Sequence, residues 1–61
     1  MSVEMREVLI QKFISLELDK TTTLGIMSML ETEEKEYKML KFLKENPNAT
    51  EQMILKQITE I

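Results

Sequence analysis

The chain contains a single glycine, Gly25, and a single proline, Pro47. Sheets joined by tight turns need residues that reach positive φ or preset a bend, and two such residues are too few for a β-fold of this length. Helices have no such need. Leu, Ile, Val and Phe together make 18 of the 61 residues, which is above the roughly 20% below which chains tend to stay disordered. The expected fold class is all-α: a compact bundle of three to four short helices forming one domain. The helices are placed at about 3–18, 24–30, 33–45 and 51–60.

Ser2 is a suitable N-cap for the first helix, with Glu4 and Glu7 near its positive end. Two apolar rows follow at helical spacing. Met5, Leu9, Phe13 and Leu16 form one row, while Val3, Ile10, Ile14 and Leu18 form the other about a third of a turn away. Only a narrow polar strip around Glu4, Gln11 and Ser15 is left. So wide an apolar arc asks for cover on two sides, either from helices of the same chain or from a second copy.

The run Asp19 to Thr23 interrupts this pattern, and Thr22 or Thr23 is expected to cap a short second helix. Its Leu24, Ile26, Met27, Met29 and Leu30 point in nearly every direction, which predicts a buried helix. Gly25 inside it costs about 1 kcal/mol relative to Ala, and so marks either a close backbone neighbour or simple drift. Thr32 caps the third helix. Glu33, Glu34 and Glu36 then form a solvated first turn that suits the helix dipole, and Glu34 and Lys38 make an oriented i,i+4 pair. Tyr37, Met39, Leu40, Phe42 and Leu43 are its expected apolar face. Asn46, in a left-handed conformation, and Pro47 stop it. Thr50 caps the fourth helix, where Met53, Ile54, Leu55, Ile58 and Ile61 carry the apolar pattern.

A chain of this size buries only about 60% of the surface its unfolded form exposes. Cys and His are both absent, which removes disulfides and Cys/His zinc sites as supports. Packing and self-association remain. The expected state is a homodimer whose candidate interface is Val3, Ile10, Ile14, Leu18, Met27 and Met29; the other arrangement is a monomer with the first helix at its centre. The six methionines fill an irregular core or line an adaptable groove that receives a helix of another protein.

No imidazole or thiol is present to activate a hydroxyl, and one glycine cannot build a phosphate loop. No catalytic residue, cofactor or metal is therefore expected. The net charge of −3 does not favour nucleic acid or anionic lipid as partners. The longest uncharged stretch, 21–30, is too short for a membrane span. Glu4, Arg6 and Glu7 do not fit a secretory leader, so a cytoplasmic location is expected. Asn48-Ala49-Thr50 fits the glycosylation pattern, but Thr50 is read as a cap.

The stretch from Met39 through Asn46-Pro47 to Thr50, Gln52 and Ile54 resembles the start of winged-helix transcription regulators, in which a helix ends at a similar Asn-Pro turn and a Thr-capped helix follows. That resemblance covers about a third of the chain, which ends where the recognition helix would begin. Ser15-Leu16-Glu17-Leu18-Asp19 is similar to a signature of small helical-hairpin phosphatases acting on sporulation response regulators. There an apolar pair follows the signature; here Thr21-Thr22 follows, and no activity is carried over. The function expected is a non-catalytic protein-interaction or assembly module that self-associates. The alternative is a small DNA-binding regulator of helix-turn-helix type.

Overall fold

The computed structural model describes residues 3–61, so the expected cap at Ser2 lies outside the described residues. Four helices and no strand stand among them: α1 (Val3–Ser15), α2 (Lys20–Met29), α3 (Glu33–Glu45) and α4 (Glu51–Glu60).

α1 stops short of Leu18, where the apolar spacing would have carried it. Glu17 adopts a φ of 67°. The Leu18 amide donates to the Phe13 carbonyl at 3.1 Å and the Glu17 amide to the Ile14 carbonyl at 2.9 Å. This crossed pair is the Schellman closure, with glutamate where glycine is the usual residue. Leu18 then packs back on the core, so its apolar character serves the closure and not a longer helix.

α2 starts at Lys20 and not at Leu24. Its N-cap is Asp19, not Thr22 or Thr23: the Asp19 carboxylate accepts the Thr22 amide at 2.6 Å. The carboxylate outcompetes the hydroxyls for the role, and the threonines become the first turn. Nor is α2 buried all round. Thr23, Ile26 and Met27 face inward, whereas Leu24 and Met29 are 55% and 51% exposed. Gly25 is exposed, and a Cβ there would meet nothing within 4 Å. No close neighbour requires this glycine.

Thr32 and Thr50 cap α3 and α4, accepting the Lys35 and Met53 amides at 3.2 Å each. Asn46 closes α3 without entering the left-handed region; its φ is −131°, within the range a following proline imposes. Its side-chain and backbone amides both donate to the Phe42 carbonyl at 2.9 Å. The inward face of α3 also departs from expectation. Tyr37 is exposed and Glu36 is fully buried, because Glu36 shares a register with Met39 and Leu43 at i, i+3 and i+7.

Leu9 and Phe13 of α1 meet Ile26, Met27, Leu30, Met39, Leu43, Ala49, Ile54 and Ile58 in the core. α1 packs on α2 and α3, and α2 packs on α4. The radius of gyration is 10.2 Å, against about 10.5 Å for a folded chain of this length.

Candidate interaction surface

α1 is amphipathic in an incomplete way. Leu9 and Phe13 are buried, and Met5, Ile10 and Leu16 pack partly against the core. At 100° per residue, Val3, Ile10 and Ile14 fall within about 40° of arc on the flank of that core, with Ile10 packed against it. Val3 is 71% exposed, Ile14 is 56% exposed and Ile10 is half-buried. Glu7 completes their row. Val3, Glu7, Ile10 and Ile14 follow one another at the alternating spacing of four and three seen in seams between paired helices. Glu4 and Gln11 border the row on its solvent side.

An open depression lies beside this row on the polar side of α1, lined by Glu4, Glu7, Val8, Ile10, Gln11, Lys12 and Ser15 but not by Val3 or Ile14. Every lining residue belongs to α1. Such a depression is one helix's surface rather than a cleft between elements, and it has none of the enclosing walls of a small-molecule site.

The remaining candidate residues do not join this row. Met27 is 3% exposed and belongs to the core, so it is corrected from interface to interior. The reason is its register: it shares the inward arc of α2 with Thr23. Leu18 lies half-buried beyond the Schellman turn. Met29 is exposed, but at the end of α2.

A polar junction holds α1 in place. One Arg6 nitrogen donates to Glu36 Oε2 at 2.6 Å and to the Leu30 carbonyl at 3.3 Å, and the other donates to the Met27 carbonyl at 3.3 Å. One guanidinium thereby closes the C-terminal end of α2 and holds the first turn of α3. The Arg6 side chain keeps 31% of its surface while that of Glu36 keeps none. Glu36 Oε1 and the Thr23 hydroxyl are buried without a hydrogen-bond partner among the described residues. Glu36 is thus not part of a solvated glutamate turn. Its register with Met39 and Leu43 was the available signal.

Outside this junction the charged groups are spread over the surface. Lys38 meets Glu34 at 3.1 Å with both side chains largely exposed, a pairing worth about 0.3–0.5 kcal/mol. Among the described residues no group of three or more His, Cys, Asp or Glu is placed to hold a metal ion. No helix among the described residues is long and apolar enough to cross a membrane. Compared with known protein families, curated proteins and solved structures, the chain matches none.

Proposed function

We propose that this chain is a small cytoplasmic helical interaction module, without catalysis of its own, that associates with a copy of itself through the outer face of α1. The observation that carries this reading is the row Val3–Ile10–Ile14. Val3 and Ile14 stand mostly in water, while Ile10 between them packs partly against the core that α1 shares with α2 and α3. Single exposed apolar residues are ordinary on protein surfaces; an aligned row at seam spacing is the pattern of a contact.

The helix-turn-helix alternative finds less support. Besides the placement on α3 and α4, which leaves no reader within residues 1–61, a second placement makes α2 the scaffold and α3 the reader. Its leading end would carry the exposed Glu33 and Glu34, which phosphates repel. Lys38, the first exposed lysine of α3, already faces Glu34.

Sedimentation over a concentration series tests the proposal. The expected result is a species that grows from 7.2 kDa toward twice that mass, and that Ile14→Glu holds at the lower value with its helix content intact. A 7.2 kDa species at every concentration overturns self-association. Random duplex DNA at low salt should show no electrophoretic shift. A shift that fades steeply with added salt would favour the regulator instead.

A further inference from the structure

We infer that α4 opens as a unit, swinging away about the connector at residues 46–50 while α1, α2 and α3 stay folded together. This inference does not depend on self-association. It rests on how differently the four helices are tied to one another.

The first three helices share polar bonds. Arg6 of α1 donates to the Met27 and Leu30 carbonyls at the end of α2 and to the Glu36 carboxylate of α3. Moving any one of the three breaks a charge-assisted bond, and parting α1 from α3 strands a buried carboxylate. α4 has no such tie. Among the described residues, no hydrogen bond or ion pair joins it to another helix. Its side-chain bonds are internal: Thr50 accepts the Met53 amide at 3.2 Å, and the Thr59 hydroxyl donates to the Lys56 carbonyl at 2.7 Å. What holds α4 is apolar. Ile54, Ile58 and the preceding Ala49 enter the core, and the helix packs chiefly on α2.

The connector does not resist the motion. Asn46 closes α3 through its own side-chain and backbone amides, both bonded to the Phe42 carbonyl. Thr50 opens α4 in the same local way. Both helix ends therefore keep their bonds when α4 moves, and only apolar contact is lost. Contrast the end of α2, whose carbonyls lose Arg6 if α1 leaves. An element held by few contacts and by no bond to its neighbours belongs to the low end of the range of local opening free energies. Opening bares Ile54 and Ile58 together with their seat in the core.

Hydrogen exchange of the unaltered protein, followed residue by residue by NMR at several low denaturant concentrations, tests this. The amides of residues 54–58 are compared with those of Phe13, Met39 and Leu43, each corrected for its intrinsic rate. The expected result is one shared opening across 54–58, faster than that of the comparison amides by about tenfold or more. Its denaturant dependence should be weaker as well, because less surface is exposed than in global unfolding. Protection that falls steadily from residue 54 to residue 58 would be fraying of a helix end and overturns opening as a unit. A single protection and a single denaturant slope for all four helices would make the chain one cooperative block and overturns it too. Sedimentation decides self-association separately, so either reading can fail while the other stands.

Discussion

The two ends of α2 are closed in opposite ways. At its N-terminal end the cap is Asp19, the residue immediately before the helix, exposed and bonded to the amide of Thr22. At its C-terminal end the carbonyls of Met27 and Leu30 accept from Arg6, which lies 21 and 24 residues away in the chain. The first closure is local and needs nothing but the segment itself. The second exists only when α1 has docked, and because Arg6 also holds Glu36, only when α3 has docked with it. One end of α2 reports its own sequence; the other couples three helices into a single cooperative unit.

The largest expected effect comes from breaking the distant end. Arg6→Ala leaves the Glu36 carboxylate buried without its cation, a change that costs about 3–5 kcal/mol in comparable buried pairs. A single core in a chain this small rarely supplies more than about 3–5 kcal/mol in total. The variant should therefore be largely unfolded at 25 °C by circular dichroism. Removing both charges, with Arg6→Met and Glu36→Leu together, should restore most of the helix signal, since apolar replacement of a buried pair is often neutral or better. A melting temperature for Arg6→Ala close to that of the parent would reduce the junction to a surface ion pair and erase the contrast between the two ends.

The corner leading into the local end gives the next effect. Glu17 holds a φ of 67°, which an L-residue with a Cβ adopts at about 1–2 kcal/mol. Glu17→Gly should remove that strain and, after the extra freedom gained by the unfolded chain is subtracted, stabilise by about 1 kcal/mol. For a chain of this size that raises Tm by roughly 4–8 °C. A fall in Tm would mean that the glutamate side chain contributes more than its backbone costs. Between the two ends, Gly25→Ala fills open space in mid-helix and should add about 0.5–1 kcal/mol. Calorimetry that found destabilisation would show that α2 requires the glycine after all.

The same contrast between local and distant partners explains what was legible in the sequence. α3 and α4 begin at Thr32 and Thr50 because a hydroxyl bonds an amide three residues on, and that relation is visible in any linear reading. The corner at Glu17 is hidden, because the residue that usually marks a left-handed turn is glycine and glutamate carries no such mark. The burial of Glu36 is only half legible: its register with Met39 and Leu43 marks the position, but a charge there turns inward only if a partner such as Arg6 arrives from another helix. On the candidate surface, the sharing of one face by Val3, Ile10 and Ile14 follows from helical periodicity alone. The separation of Met27 from Met29 does not, because a helix apolar on every side has no inside until its neighbours are in place.

The smallest effect isolates the local end by pH. The backbone amide of Thr22, and after it the Thr22 hydroxyl, holds the Asp19 carboxyl below its ordinary range. A carboxyl whose folded pKa is depressed adds stability that is fully present above its unfolded pKa, near 3.9, and that is lost as pH falls through the folded value. Asn also caps helices but does not titrate. Tm of Asp19→Asn should therefore lie below that of the parent at neutral pH, and the gap should close as pH drops below about 4. Other carboxylates titrate in both proteins and cancel in the comparison. A gap that stays constant through the acid range would mean that Asp19 caps α2 through shape alone, without help from its charge.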